Sequence, residues 1–328
     1  MRVLTVRSLL LVLLLTLSST GFAAKMVQPP IQDLLKERYQ ISVLELQAID
    51  RQAGKAEFEQ VTDLWQETDD EITLNLPPYL LEEITAGERY IVAHSRFRKH
   101  PILRDVIQLN PDGPAVVEAF VVRHGLFDDS RELRYLFREF QDEEPNARKI
   151  VARLLDLLEE SDGRTRTLAA FQFQMSQPLY DDGLRSRQLR QLQEIIASNR
   201  LSAEEEEFLL SASPHFPATL ETDWIADHCR QRMRQHGSEY ELTSFIPLLV
   251  KTCTGIVAAS GGGDDVPLFS GLLYSNAPGV AKAAMQALID VAPQQADDIL
   301  NRALASGQPL HSESARVIRA YLAANAPE

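Results

Sequence analysis

The hydrophobic period of the chain changes near residue 125, and this change narrows the possible folds more than any other feature of the sequence. Before it, apolar residues come in short runs and alternations: Tyr39-Ile41-Val43, Ile72-Leu74-Leu76, Tyr90-Val92 and Val116 to Val122. A period of two sends successive side chains to opposite faces, which predicts strands with one buried face. Turn chemistry separates them at Ala53-Gly54-Lys55, Thr68-Asp69-Asp70, Pro77-Pro78, Ala86-Gly87 and Pro111-Asp112-Gly113. A short amphipathic helix, Ile31 to Arg38, precedes them, and five or six strands in about 85 residues predict a small antiparallel barrel. After residue 125 the spacing is helical. Ala147, Ile150, Val151, Leu154, Leu155 and Leu158 form one apolar stripe, Leu184, Leu189, Leu192, Ile195 and Ile196 a second, and Val280, Ala284, Ala287, Leu288 and Val291 a third. Ser202-x-x-Glu205 and Ser238-x-x-Glu241 have capping-box spacing and predict further helix starts, and Ala315, Ile318, Tyr321 and Leu322 mark a last helix. The expected fold class is α+β: a β-barrel domain over 24–124 and an all-α domain over 125–328, joined where Gly125 and Asp128-Asp129 offer turn chemistry.

Two resemblances sharpen this expectation. Phe58-x-x-Val61-x-x-Leu64-Trp65, Ile72-x-Leu74-x-Leu76 and Ala86-Gly87-Glu88-Arg89-Tyr90-Ile91-Val92 together resemble the OB-type barrels of netrin-like domains and tissue inhibitors of metalloproteinases, over about 40 residues. The chain lacks the N-terminal cysteines with which those inhibitors chelate a metal, so the resemblance implies a barrel and not inhibition. In the helical part, Leu157-Leu158 followed by a polar turn and Leu168-Ala169 is similar to Leu272-Leu273 followed by a polar turn and Ala283-Ala284, an offset of 115 residues or about three units of 38, with Ile195-Ile196 one unit after the first. This pattern resembles HEAT-type repeats from roughly 140 to 325, with a departure around Glu204 to Glu207, against the alternative of a multi-helix domain without true repeats. The resemblance implies stacked helix pairs with a continuous surface for a partner.

Residues 1–23 read as a signal peptide: Arg2 and Arg7, then an apolar run from Leu9 to Leu17, then Gly21-Phe22-Ala23 with small residues flanking a cut after Ala23. Nine apolar residues are too few to span a bilayer, which takes roughly 20, and no later segment is long and apolar enough to do so. The expected location is the periplasm. The whole chain has 47 Asp plus Glu against 33 Lys plus Arg and a formal charge of −14, and losing Arg2 and Arg7 would take this to −16. So acidic a chain lacks the broad basic footprint of a nucleic-acid binder.

Export would place Cys229 and Cys253 in an oxidising compartment, where thiols pair. If two antiparallel helices turned at Gly237, however, Cys229 would face position 245 and Cys253 would lie ~12 Å further on, beyond the reach of a disulfide. Pro247 can restart the second helix and shift that register. A disulfide and two separate buried thiols both remain open.

Motifs that carry chemistry are scarce in the chain. There is no Gly-x-Ser-x-Gly elbow, P-loop, His-Glu-x-x-His or Cys-x-x-Cys. The Gly261-Gly262-Gly263 run lacks a Lys and is followed by Asp264-Asp265, which fits an interhelix loop with one aspartate capping the next helix. Asp223, Asp227, His228, Cys229 and His236 are metal-capable, but neighbours on a helix diverge by about 100°, so no metal site and no cofactor is expected. Asp128-Asp129, Asp142 to Glu144 and Glu204 to Glu207 read as solvated helix faces rather than paired catalytic acids. Against the overall charge stands His94-Ser95-Arg96-Phe97-Arg98-Lys99-His100. Alternation would put His94, Arg96 and Arg98 on one face, and with Lys99 and His100 they form a candidate anion-binding or domain-docking site. The function expected from all this is a non-catalytic periplasmic interaction protein with an envelope protein as partner, and the alternative is an envelope hydrolase with scattered catalytic groups.

Overall fold

The computed structural model describes residues 30–99, 107–119, 122–161, 163–261 and 263–325. The expected signal peptide and its cleavage point lie outside them, as does His100. The described residues open with a short helix, α1 (Pro30–Leu34), and then build the sheet from β1 (Gln40–Asp50), β2 (Lys55–Trp65), β3 (Glu71–Asn75), β4 (Arg89–Ser95) and β7 (Ala115–Val116), with α2 (Pro78–Glu83) between β3 and β4. Neighbours in the sheet run β1-β2-β3-β7-β4, and β4 returns to β1, so the five strands close into a barrel. The β3–β7 pair is parallel and the other pairs are antiparallel.

Closure depends on the 11-residue β1, which pairs along its length with β2 and over Gln40 to Glu45 with β4. Its pairing with β2 shifts register three times, between Ile41 and Ser42, Val43 and Leu44, and Leu46 and Ala48. Such irregularities bend a strand and raise its twist, which is how a flat ribbon curls into a barrel. β10 (Leu126–Asp128) extends the sheet beside β4. Two small ribbons stand outside it: β5 (Phe97–Lys99) with β6 (Ile107–Leu109), and β8 (Glu118–Ala119) with β9 (Arg123–His124).

The alternation does what the sequence predicts on one face only. Leu44, Phe58, Leu74, Tyr90 and Val92 fill the barrel. The outer face of β1 and β4 is buried as well, because Ile41, Val43, Ile91 and Ala93 join a second, larger core with the helices. A strand covered on both sides loses its alternating burial, and β4 is buried from Tyr90 to Ser95 without a break.

The helices follow: α3 (Arg131–Glu139), α4 (Ala147–Glu160), α5 (Gly163–Met175), α6 (Tyr180–Gly183), α7 (Ser186–Ala197), α8 (Ala203–Ser211), α9 (Asp223–His236), α10 (Ile246–Ala259), α11 (Val266–Leu272), α12 (Pro278–Val291), α13 (Pro293–Ala305) and α14 (Ser312–Ala324). The core passes from α4 to α5, then to α8, α10 and α12, each packing on the next. Of the predicted stripe, Ile150, Val151, Leu154, Leu155 and Leu158 are buried on α4, and Ala147 at its first residue is half-buried. Ser202 and Glu205 form the expected capping box on α8. Ser238 and Glu241 do not start a helix: α10 begins at Ile246 with Pro247 in its first turn, where a residue lacking an N–H costs no intrahelical bond.

Candidate functional site

Strand alternation from His94 is broken at Arg96. β4 ends at Ser95 and β5 begins at Phe97, and at this bend Ser95 Oγ accepts from the Phe97 N–H at 3.0 Å and donates to the Arg38 carbonyl at 3.1 Å. His94 is therefore buried at the end of the barrel interior, while Arg96 and Arg98 are exposed. Arg96 Nη2 donates to Asp69 Oδ2 at 2.8 Å, Arg98 lies on the β5–β6 hairpin, and the side chain of Lys99 is outside the described residues. The polar contacts described between barrel and helices come from other residues. Arg164 on α5 donates to the Leu126 carbonyl at 3.0 Å and pairs with Glu83, Gln141 donates to the Leu64 carbonyl at 2.7 Å, and the Ile31 N–H donates to Gln172 Oε1 at 3.0 Å.

His94 ends a chain of polar side chains. Its Nε2 lies 3.4 Å from Thr68 Oγ1, which is 2.5 Å from Ser42 Oγ, which is 2.8 Å from Asp63 Oδ1. A carboxylate only accepts, so Ser42 donates to Asp63, Thr68 donates to Ser42, and Thr68 is left to accept from His94. The direction of the chain assigns the proton to Nε2. His94 Nδ1 is then a buried acceptor with no partner among the described residues. Burial pushes the His94 pKa down to about 4, against the pull of Asp63 and Asp69, so the ring is neutral at pH 7. The order of groups is not that of a hydrolase triad, because the carboxylate bonds a hydroxyl and not the imidazole it would need to orient. Beside this chain an open groove of ≈ 850 Å³ is lined by Arg38 and Arg96, by Glu37, Asp63, Glu67 and Asp69, and by Trp65 and Phe97.

The acidic run on α8 corrects the sequence reading. Glu205, Glu206 and Glu207 are all buried, and each is met by a different part of the fold. Glu205 caps its own helix and accepts from Arg166 Nε at 3.1 Å and Thr167 Oγ1 at 3.1 Å on α5. Glu206 Oε1 contacts His228 Nε2 at 2.6 Å and accepts from Arg232 Nε at 2.7 Å on α9. Glu207 accepts from Thr252 Oγ1 at 3.0 Å on α10. For Glu206 and Glu207 burial favours the uncharged carboxyl. For Glu206 it is outweighed by the hydrogen bonds from His228 and Arg232, which hold its carboxyl below the usual range, whereas Glu207, with a neutral hydroxyl as partner, is raised. This is a structural hub joining α5, α8, α9 and α10.

The other candidates resolve in the same way. His228 faces Glu206, and no group of three His, Cys, Asp or Glu side chains among the described residues is placed to hold a metal ion. Asp265 makes no side-chain cap at the start of α11 and instead takes a bidentate contact from Arg230 at 3.0 and 3.1 Å. Cys229 and Cys253 are buried free thiols that lie side by side, and their mutual hydrogen bond, with burial, raises the Cys253 pKa well above its ordinary value. They are not the widely separated pair of the simple helical ruler. The connection between α9 and α10 runs from Gly237 to Phe245, so the helix pair is centred near residue 241, midway between 229 and 253.

Two exposed apolar patches complete the description. Phe97, Ile107 and Leu109 stand on the β5–β6 hairpin, and Leu242, Phe245 and Leu248 on the α9–α10 connection and first turn of α10. No helix among the described residues is long and apolar enough to cross a membrane. Comparison with known proteins found no matching family model, no matching curated protein and no matching solved structure.

Proposed function

We propose that this is a non-catalytic interaction protein of the bacterial periplasm, in which an OB-like barrel is fixed to a HEAT-like helical array and the array binds an envelope protein. The observation that carries the reading is the patch of Leu242, Phe245 and Leu248, 62, 40 and 39% exposed, beside exposed Glu239 and Glu241. A contiguous apolar patch with a charged rim marks a protein-binding surface. Exposed Glu239 and Glu241, set against the single exposed cation Lys251 on the same helix as Leu248, and the −14 charge of the chain favour a partner that presents apolar side chains with Lys or Arg. The successive packing of α4 on α5, α5 on α8, α8 on α10 and α10 on α12 supports the repeat reading, with further helices packed beside the stack. Export rests on the order of basic, apolar and small residues in 1–23.

The test is affinity capture from envelope extract with Leu242→Asp and Phe245→Ser beside the unaltered protein. One defined partner should be retained by the unaltered chain, weakened by salt, and lost in both variants while their melting curves stay put. Capture indifferent to both substitutions defeats the proposal. So does turnover of peptidoglycan, ester or peptide that vanishes on a single acidic or histidine substitution in a folded protein.

A further inference from the structure

We propose that Cys229 and Cys253 form a disulfide that clamps α9 to α10. The two helices are joined by the connection from Gly237 to Phe245 and pack directly on each other, so equal counts outward from residue 241 place residues level across the pair. Met233 falls level with Leu249, Cys229 with Cys253 and Ile225 with Val257, and all six are at most 3% exposed. A spacing of four keeps each set of three on one helix face, and the thiols stand at the middle of both faces. Packed helix axes lie ~8–10 Å apart and each Cα stands ~2.3 Å from its axis. Facing residues therefore approach with Cα atoms ~3–6 Å apart, a range that overlaps the ~4.4–6.8 Å a disulfide spans. The bond would close the segment that carries Leu242, Phe245 and Leu248.

The surroundings decide against other uses of the two thiols. A structural zinc takes four ligands, and no group of three His, Cys, Asp or Glu side chains among the described residues is placed to hold a metal. A reactive cysteine needs a lowered pKa and access to solvent, whereas the hydrogen bond from Cys229 and burial raise that of Cys253 and both side chains are wholly covered. The bond therefore forms as the chain folds, before α9 and α10 close over it. One thiolate attacks a sulfur of a small-molecule disulfide such as oxidised glutathione, giving a mixed disulfide and releasing a glutathione thiolate; the second attacks the protein sulfur of that mixed disulfide and releases another. The two released thiolates take up the two thiol protons, the protein gives up two electrons and the oxidant receives them. In the cell a protein disulfide of the envelope supplies the oxidant, and that clause alone rests on the export reading.

The experiment is refolding of the purified full chain from denaturant in a glutathione redox buffer, followed by alkylation, trypsin digestion and mass spectrometry. The expected product is a single chain in which the tryptic peptides 201–230 and 252–282 are joined, with the mass of two hydrogen atoms lost. Its Tm should lie about 5 °C above that of the same chain refolded with a reducing agent. Cys229→Ala with Cys253→Ala should have the same Tm in both buffers, and an equal shift there would trace the effect to the buffer and overturn the clamp. The proposal is also overturned if both thiols are alkylated after oxidative refolding, if the bond joins two chains or retains glutathione, or if the oxidised chain melts no higher than the reduced one. A chain that forms the bond in buffer but is isolated reduced from cells supports the bond and counts against export.

Discussion

In the barrel the buried polar side chains are arranged so that one carboxylate serves three neutral groups: Asp63 anchors Ser42, Thr68 and a neutral His94 in a single line. In the helical region three consecutive carboxylates are buried, and each is met separately, by Arg166, by Arg232 with His228, and by Thr252. The barrel limits the cost of desolvation by keeping charge out, whereas the helices accept charge and compensate it. A line of neutral groups tolerates the loss of a member better than a buried ion tolerates the loss of its counter-ion. The two regions should therefore fail under different challenges.

Removal of Glu206 should have the largest effect. Glu206→Ala strands Arg232 and His228, whose side chains are only 12 and 14% exposed, and should cost roughly 3 kcal/mol of unfolding free energy in denaturant titration. Adding Arg232→Met and His228→Leu should recover part of that loss, because the remaining site is apolar. A loss below about 1 kcal/mol would mean that the hub is solvated rather than buried.

Acid should strike the barrel first. The folded pKa of His94 lies near 4 against an ordinary 6.5. As pH falls below 6.5 the unfolded chain takes up this proton before the folded one, so the stability His94 contributes is whole above pH 6.5 and declines until about pH 4, by at most about 3 kcal/mol. The Glu206 pKa is depressed, so its contribution is present above the ordinary carboxylate range and is lost only below it. The two tryptophans lie on different elements, Trp65 ending β2 and Trp224 opening α9, although both pack against the core shared by barrel and helices. Single-tryptophan variants should show Trp65 responding between pH 6.5 and 4 and Trp224 responding lower, with His94→Leu flattening the Trp65 response. Coincident transitions in both variants would make the two regions one cooperative unit.

Tight glycines allow a smaller comparison. A Cβ at Gly183 would lie 2.6 Å from the Ala147 carbonyl oxygen and 2.7 Å from Val151 Cγ2, while one at Gly125 would lie 2.8 Å from Ala93 Cβ and 3.3 Å from Leu34 Cδ2. Gly183 would meet two atoms closer than 3.0 Å, one of them a backbone carbonyl, and Gly125 only one, the Ala93 Cβ, so Gly183→Ala should cost about 2 kcal/mol and Gly125→Ala about 1 kcal/mol in thermal unfolding. The reverse order would place the stiffer packing at the junction of barrel and helices.

Much of the fold was legible because it is written in local periods: two in β2 and β3, 3.6 in α4 and α7. What the sequence hid depends on partners far along the chain. Glu205, Glu206 and Glu207 look like a solvated run until Arg166, Arg232 and Thr252, which are 39, 26 and 45 residues away, are brought against them. A signal was present in His228 and Arg232, spaced four apart on one helix face opposite that acidic run. The spacing of the thiols leaves their pairing open, because the register depends on where the second helix starts; with Pro247 in its first turn, α10 begins at Ile246 and Cys253 lies beside Cys229. His94 was grouped with Arg96 and Arg98 because alternation was carried through a bend that one serine hydroxyl stabilises.

The smallest effect belongs to Arg96. Its pair with Asp69 spans 2.8 Å, but the two side chains are 61 and 67% exposed, and an exposed pair in water exchanges solvation for contact with little net gain. Arg96→Gln should shift the denaturant midpoint by an amount worth less than about 0.5 kcal/mol. It should also move the Trp65 and Trp224 transitions equally little, because the described contacts between barrel and helices run through Arg164, Gln141 and Gln172. A loss above about 1.5 kcal/mol, or a Trp65 transition that separates from that of Trp224, would give Arg96 the docking role that its place in a basic segment suggests. Arg164→Gln in parallel supplies the contrast: it removes a donor from the Leu126 carbonyl and an ion pair from Glu83 together, and should exceed Arg96→Gln by about 1 kcal/mol.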